Sequence, residues 1–180
     1  MNATQFLVGT LLDLYLMVVL LRLWLQLARA DFYNPFSQFV VKATHPIVGP
    51  MRRIIPPISR LDTATLVLAL AVAMLKVFLL GLMQGVANIN PISLVITGFL
   101  IVLKEVFSLI FWVLILRAIL SWVSQGYNPI ELVMQQLTEP FLAPIRRVIP
   151  PLGGLDLSIL FAIIALQFLQ LLLQDLLGVF

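Results

Sequence analysis

Four long apolar runs constrain this chain more than any other feature, because each is long enough to cross a lipid bilayer. About 20 apolar residues span the hydrocarbon core as a helix, and three of the runs have about this length. The fourth, residues 92–123, is longer than a bilayer requires, so we expect it to tilt, to kink, or to begin outside the membrane. The predicted spanning helices lie at about 6–28, 62–84, 101–124 and 156–177. The course of residues 91–105 stays open at this stage.

Composition agrees with a membrane protein. The chain is 62% hydrophobic and 11% charged, whereas soluble domains average about 45–50% apolar and about 25% charged residues. A cleaved signal peptide is a poor interpretation of the first run, although "ARAD" at 28–31 faintly suggests a cleavage site. No Lys or Arg precedes that run, and Asp13 and Arg22 interrupt it.

The chain is also an internal duplication. Tyr33-Asn34-Pro35 recurs as Tyr127-Asn128-Pro129, and "THPIVGPMRRIIPP" at 44–57 recurs as "TEPFLAPIRRVIPP" at 138–151, both shifted by 94 positions. Arg22 matches Arg117 at a shift of 95. The repeat predicts an all-α membrane protein of four transmembrane helices in two hairpin repeats, residues 1–90 and 91–180. In its loop, each hairpin carries an amphipathic Pro/Arg-rich segment that we call the elbow. The elbows include residues 44–57 and 138–151.

Charge bias predicts the orientation of the helices. The loops inside the two hairpins are basic, whereas the connection 84–91 carries no Lys or Arg. Because positive loops stay in the cytoplasm, both elbows are predicted to be cytoplasmic and both termini outside. The two halves then share one orientation and are related by a pseudo-twofold axis along the membrane normal.

Prolines give the elbow a predicted shape. Asn34 and Asn128 stand where helix N-caps belong, each followed by a first-turn proline. We expect each short helix to end near Thr44 or Thr138, and a separate turn to begin at Pro50 or Pro144, because the residue before a proline avoids the α conformation. In the first elbow, Phe36, Phe39, Val40, Ala43 and Ile47 recur at helical spacing, which favours a helix on the membrane surface or against its neighbours. Asp62 and Asp156 then stand at the start of the next spanning helices, where the helix dipole favours a negative charge.

The paired arginines are the candidate contact residues. Arg52, Arg53, Arg146 and Arg147 would meet anionic lipid headgroups or an acidic partner on the cytoplasmic face. The alternative is that these charges only keep the loop inside. His45, replaced by Glu139 in the second repeat, is interpreted as an interfacial polar residue and not as a ligand.

The twice-written pattern P-x-R-R-[IV]-I-P-P-x-x-x-L-D, preceded by Y-N-P, resembles the YggT family of small bacterial inner-membrane proteins over nearly the whole chain. The resemblance implies a multi-pass plasma-membrane protein without an established catalytic activity, and family members are associated with osmotic-stress tolerance, cell division and assembly of membrane complexes. It carries over no catalytic residue.

Two function hypotheses follow. The chain has no Walker loop, G-x-G-x-x-G, H-E-x-x-H or G-x-S-x-G motif, no cysteine and a single histidine, so we expect no enzyme, cofactor, metal ion or nucleic acid. The first hypothesis is a scaffold, assembly or osmotic-stress factor that contacts anionic headgroups, a membrane-protein partner or a second copy of itself. The second is a small oligomeric channel or transporter lined by intramembrane charges. These charges are Asp13, Arg22, Lys76, Lys104, Glu105, Arg117 and Asp175.

Depth along the helices predicts one intramembrane ion pair. Asp13 lies about 10 Å from the outer end of the first span, and Lys76 about 13 Å from the outer end of the second. The two spans form one antiparallel hairpin, and pairing removes the cost of an isolated charge in lipid. The equivalent residues of the second repeat, Ser108 and Gln170, are predicted to form a neutral hydrogen-bonded couple.

Overall fold

The computed structural model describes residues 2–58, 61–86, 90–123, 128–148 and 156–177. Within these ranges the chain forms six α-helices and no named strand. They are α1 (Ala3–Leu27), α2 (Pro35–Ile54), α3 (Thr63–Met83), α4 (Pro91–Val123), α5 (Pro129–Val148) and α6 (Leu157–Leu177). By length and composition, α1, α3, α4 and α6 can each cross a membrane. The predicted all-α fold with four spanning helices is therefore confirmed.

The spanning helices begin and end close to the predicted positions, except for α4. This helix starts at Pro91, about ten residues earlier than predicted, and continues without a break to Val123. Its start carries the same signal as α2, because the Asn90 side chain accepts a hydrogen bond from Ile92 N at 2.9 Å ahead of a first-turn proline. At about 1.5 Å per residue, its 33 residues reach about 50 Å. The residues at 91–105 are therefore helical and prolong the span.

The core lies between α1, α3 and α4. Leu16, Val19, Ala69, Ala73 and Val102 are among its buried side chains. The antiparallel pairing of α1 with α3 is visible where Gln5 Nε2 donates to Met83 O at 3.3 Å, because this bond joins the start of one helix to the end of the other. Gly98 of α4 allows a close approach to α3, since a Cβ there would lie 2.8 Å from Met74 Cγ. Many large apolar side chains of the four spans face away from the protein, as expected for helices in lipid.

The elbows depart from the predicted shape. Each is one continuous helix with two prolines inside it, so the prediction of a helix ending near Thr44 or Thr138 and a separate turn from Pro50 or Pro144 is wrong. All four prolines are exposed. The carbonyls that lose an N–H partner therefore lie on a face where solvent can hydrogen-bond to them, which lowers the cost of a proline inside the helix.

The buried face of α2 also differs from the predicted apolar face. Ser37, Val40, Thr44 and Val48 are buried. Phe39 and Ile47 are exposed and form an apolar stripe that the rest of the protein does not cover. α2 therefore buries Val40 and Val48 but leaves the larger apolar side chains of Phe39 and Ile47 uncovered.

Contacts between the two repeats hold α2 and α5 next to each other. The predicted N-caps form, because the side chains of Asn34 and Asn128 accept from Phe36 N at 2.9 Å and Ile130 N at 3.0 Å. Asn34 Nδ2 also donates to Pro129 O at 2.7 Å, which ties the start of α2 to the start of α5. Nearby, the rings of Trp24 and Phe141 meet edge to face with centroids 6.1 Å apart. We call the end of the molecule where α2 and α5 lie the elbow side.

Candidate functional site: two arginine-lined clefts on the elbow side

Arg52 of the first arginine pair binds the buried Asp62, while its own side chain stays 38% exposed. Its Nε and Nη2 lie 3.1 Å and 2.5 Å from Asp62 Oδ2, and Thr65 Oγ1 donates to the same oxygen at 2.5 Å. The carboxylate precedes α3 but makes no side-chain capping bond to that helix. Asp62 therefore fastens the end of α2 to the start of α3.

The second repeat contains the same arrangement. We call the Arg52–Asp62 contact and its equivalent in the second repeat the clamps. Arg146 Nε and Nη2 lie 3.1 Å and 2.6 Å from Asp156 Oδ2. Asp156 Oδ1 accepts from Ser158 N at 3.2 Å and from the Ser158 hydroxyl. The first arginine of each pair is thus a structural residue that joins the elbow to the following span.

Both clamped carboxyls have a pKa below the ordinary aspartate value. Burial by itself raises the pKa of Asp62, but the hydrogen bonds from Arg52 and Thr65 and the charge of Arg52 outweigh burial. The pKa of Asp156 is lowered against the same burial effect by bonds from Ser158 and Arg146. Both aspartates are therefore ionised at neutral pH.

A second arginine enters each elbow from a spanning helix. Arg22 of α1 is buried, and its Nη1 donates to Thr44 Oγ1 at 2.7 Å and to Val41 O at 3.3 Å. Arg117 of α4 is likewise buried, and its Nη1 donates to Thr138 Oγ1. Each threonine hydroxyl in turn donates to the carbonyl one turn earlier, Val40 O or Met134 O. The sequence places both arginines among the intramembrane charges, although their repetition in both halves and their nearness to the elbow indicate a shared role.

A cavity lies beside each pair of arginine and aspartate. The first-repeat cleft, about 410 Å³, is lined by Arg22, Gln26, Phe32, Val41, His45 and Arg52. The second-repeat cleft, about 260 Å³, is lined by Arg117, Ser121, Glu131, Gln135, Glu139, Arg146, Asp156 and Ile159. The two clefts share their arginines by the repeat relation and differ where His45 is replaced by Glu139. In the parts of the chain that the structure describes, no three His, Asp or Glu side chains gather as metal ligands would.

The second arginine of each pair faces outward. Arg53 and Arg147 are exposed and lie next to Ile54 and Val148, two apolar side chains that are also exposed. Of the four arginines predicted to contact lipid or a partner, these two are the ones that the structure leaves without an intramolecular ion pair among the described residues.

The predicted intramembrane pair is brought together. Lys76 Nζ lies 2.5 Å from Asp13 Oδ1, so the two charges meet as the depth argument requires. Glu105 of α4 is buried and interacts electrostatically with both residues, so three helices contribute charges to one place. The sequence does not predict that Glu105 joins this pair. The apolar residues of α4 are spread around the whole helix, so the sequence does not show which face of α4 packs against α1 and α3.

The equivalent place in the second repeat is different. Ser108 and Gln170 are half-buried, and no hydrogen bond joins these two described residues, so the predicted neutral couple is not formed. The apolar cluster between α4 and α6 reaches only as far as Ile110 and Leu166. Ser108 and Gln170 lie beyond it, toward the opposite end of the hairpin, where α6 is mostly exposed.

Comparison with known proteins gives the chain a family. The model of the CCB3/YggT family matches residues 1–83 and 96–177. The chain belongs to the CCB3/YggT family. The two matched stretches lie within the predicted repeats 1–90 and 91–180, and the connection between them is outside the match.

Relatives in the family are similar over almost their whole length. A Vibrio alginolyticus protein encoded in the proC 3′ region is 54% identical over 179 residues, covering 99% of this chain and 97% of that protein. The YggT protein of Escherichia coli K12 is 48% identical over 171 residues, covering 95% of this chain and 89% of that protein. A Haemophilus influenzae protein is 41% identical over 180 residues, covering 99% and 95%. No solved structure matches the chain significantly.

Proposed function

We propose that this CCB3/YggT member is a non-enzymatic inner-membrane protein, a scaffold or assembly factor with a part in osmotic-stress tolerance. It contacts anionic lipid or partner proteins through the exposed ends of α2 and α5. The observation that carries the proposal is the pairing of an exposed arginine with an exposed apolar side chain at the end of each elbow, Arg53 with Ile54 and Arg147 with Val148.

This pairing suits a membrane surface. A basic residue near an anionic leaflet contributes about 1 kcal/mol, and apolar side chains on the same helix add burial in the headgroup region. The outward apolar stripe of α2, with Phe39 and Ile47, extends the same surface. The orientation proposed from charge bias, with both elbows cytoplasmic and both termini outside, places these residues at the anionic inner leaflet. Reporter fusions at the two termini test this orientation, and a cytoplasmic C-terminus would contradict it.

The test of the lipid contact compares two variants that lose the same charge. In one, Arg53 and Arg147 are both changed to glutamine; in the control, the exposed residues Arg29 and Lys42 are changed to glutamine. The protein is reconstituted in vesicles of zwitterionic and anionic phospholipid, and the anionic lipid retained with it after extraction is counted by native mass spectrometry. Two residues at about 1 kcal/mol each predict a roughly 30-fold weaker retention in the first variant.

If a correctly inserted Arg53→Gln, Arg147→Gln protein retains as much anionic lipid as wild type, the two arginines serve only to keep the loops on the cytoplasmic side. Equal losses in the two variants mean that net charge, and not the elbow ends, attracts the lipid. Growth of a cell that lacks the natural gene, complemented with each variant and shifted to high osmolarity, connects the contact to the cellular role. Survival that is the same with and without the gene contradicts the stress-tolerance part.

A small oligomeric channel or transporter is the second candidate, and one observation favours it. Glu105 places a buried carboxyl beside the Asp13–Lys76 pair, and intramembrane ionisable residues commonly mark ion or proton pathways. Flux of protons and of potassium into liposomes that contain the purified protein tests this candidate. A wild-type flux that Glu105→Gln abolishes supports it, and a flux no greater than that of empty liposomes removes it.

A further inference from the structure

The two clefts on the elbow side are equivalent by the repeat but opposite in charge. Among their described lining residues, the first has two arginines and no acidic side chain, whereas the second has two arginines with Glu131, Glu139 and Asp156. Asp62, the counterpart of Asp156, is buried beneath Arg52 and does not line the first cleft. Three positions contribute to the difference, and one of them, His45 in the first repeat and Glu139 in the second, stands between the two arginines of its cleft.

Glu139 shows what this position does when it carries a carboxylate. Its Oε2 accepts from Arg117 Nη2 at 3.3 Å and from Arg146 Nη1 at 3.1 Å, and its Oε1 accepts from Arg146 Nη1 at 2.9 Å. One anionic group therefore bridges the buried arginine of α4 and the clamp arginine of α5. Both arginines keep their other bonds, to Thr138 and to Asp156.

The first-repeat cleft presents the same two donor groups. Arg22 uses Nη1 for Thr44, as Arg117 does for Thr138, and Arg52 uses Nε and Nη2 for Asp62, as Arg146 does for Asp156. The equivalent remaining groups, Arg22 Nη2 and Arg52 Nη1, find no acceptor among the described residues. No described carboxylate lies within ion-pair distance of Arg22. His45 lies beside them with its ring against Gly49, where a Cβ would come 3.3 Å from the imidazole.

We propose that the first-repeat cleft binds an oxyanion of the phosphate type between Arg22 and Arg52, at the position that the Glu139 carboxylate fills in the second repeat. Guanidinium groups match carboxylate and phosphate oxygens with paired N–H donors, so the geometry that holds Glu139 suits a phosphate as well. The chemistry is shared by the headgroup of an anionic phospholipid and by a soluble phosphate.

The site deepens the proposed function and rests on its placement of the elbows at an anionic membrane surface. It locates a specific bound group in a cleft lined by a buried arginine, whereas Arg53 and Arg147 provide a surface contact. The two can fail separately, because Arg53 and Arg147 do not line the first cleft.

The decisive variants exchange the differing residue between the repeats. His45→Glu supplies an internal carboxylate to the first cleft, so that it competes with any bound anion. Glu139→Gln removes the carboxylate that bridges Arg117 and Arg146, so the same two donor groups become free in the second cleft, although Glu131 and Asp156 still line it. His45→Gln is the matched control, because it changes the same residue without adding charge.

Binding is measured on the full chain in an uncharged maltoside detergent. Short-chain phosphatidylglycerol and inorganic phosphate are titrated separately, with calorimetry for affinity and native mass spectrometry for stoichiometry. Wild type is expected to bind one anion. His45→Glu should weaken binding at least tenfold, equivalent to about 1.4 kcal/mol, and should raise Tm in the absence of ligand. Glu139→Gln should bring the stoichiometry to two, with the second anion bound more weakly because Glu131 and Asp156 still line that cleft. His45→Gln should change the affinity less than about threefold, or about 0.6 kcal/mol.

The two probes identify the source of the anion. Binding of phosphatidylglycerol alone supports a lipid headgroup, and equal binding of inorganic phosphate supports a soluble phosphate; both results support the cleft. Wild type that binds neither probe, or a folded His45→Glu that binds as tightly as His45→Gln, overturns it. Anion binding that survives Arg53→Gln with Arg147→Gln, while lipid retention in vesicles is lost, leaves the cleft and the surface contact as separate features.

Discussion

Replacing Arg52 with glutamine leaves a carboxylate in the interior without its cation. Asp62 is 1% exposed, and it takes two of its three side-chain hydrogen bonds from Arg52. Of these three bonds, only the one from the Thr65 hydroxyl remains after the change. We therefore expect Arg52→Gln to destabilise the folded protein substantially.

The loss in free energy of unfolding depends on which member of the Arg52–Asp62 pair is left buried without its partner. Removing one member of a buried ion pair costs about 3–5 kcal/mol, and the 38% exposure of the Arg52 side chain places this pair at the lower end, about 3 kcal/mol. The reverse change, Asp62→Asn, keeps an acceptor oxygen for Arg52 and Thr65 and leaves a cation that can turn to solvent. It should cost about 1 kcal/mol.

The second repeat supplies an internal control. Asp156 is 23% exposed and keeps the Ser158 amide and hydroxyl when its arginine is lost. Arg146→Gln should therefore cost about 1–2 kcal/mol, less than Arg52→Gln. Loss of the Arg146–Glu139 contact is included in this value, and Glu139 is exposed enough to be solvated.

Unfolding by dodecyl sulfate in mixed maltoside micelles, followed by the circular dichroism of the helices, measures the free energies of unfolding. The three variants and wild type are compared at pH 7 and at the same protein concentration. If Arg52→Gln costs no more than Asp62→Asn, or no more than Arg146→Gln, then burial of the aspartate does not determine the energy of the clamp and the argument fails.

Three further predictions concern stability. Asp13→Asn should cost about 2 kcal/mol and the added Lys76→Gln should restore at least half of it; losses that simply add in this double-mutant cycle contradict a coupled pair. The lowered pKa values of Asp62 and Asp156 mean that their contribution to stability is present above the ordinary aspartate pKa and is lost as pH falls through the folded values. Unfolding free energy should then decline below about pH 4, less steeply in Asp62→Asn, and an identical decline in that variant excludes this cause. Arg29→Gly should stabilise by about 0.5–1 kcal/mol in the same unfolding assay, because Arg29 has a positive φ of 52° after α1; no gain means that the left-handed conformation costs nothing there.

The sequence predicts the spans well, because length and apolarity alone decide whether a helix can cross a bilayer. The start of α4 was missed although Asn90 and Pro91 repeat the cap signal that was used correctly at Asn34 and Asn128. The break in the elbows was predicted from a local preference of residues before proline. The helices nevertheless continue through the prolines. All four prolines are exposed, so solvent can hydrogen-bond to the carbonyls that lose an N–H partner, and exposure is a property of the folded molecule.

The candidate site was predicted in part. The repetition identifies the arginine pair. Which arginine binds Asp62 and which stays at the surface depends on the rotation of the unbroken helix α2, and the sequence does not predict that helix. The bond to Asp62, ten residues later, depends on a chain reversal that no spacing rule specifies. The sequence does not predict that Glu139 bridges two arginines. Its contacts with Arg117 and Arg146 join α4 to α5 and are visible only in the folded molecule.

The edge-to-face contact of Trp24 with Phe141 gives this protein a built-in optical probe. The indole belongs to the first repeat and the phenyl ring to the second, so any movement that separates the halves on the elbow side changes the surroundings of one fluorophore. With Trp112 and Trp122 replaced by phenylalanine, the emission maximum and quenching of Trp24 would follow the distance between the repeats during lipid binding, osmotic shift or unfolding. The fluorescence of one native residue, Trp24, thus reports movement between the two repeats without an attached dye.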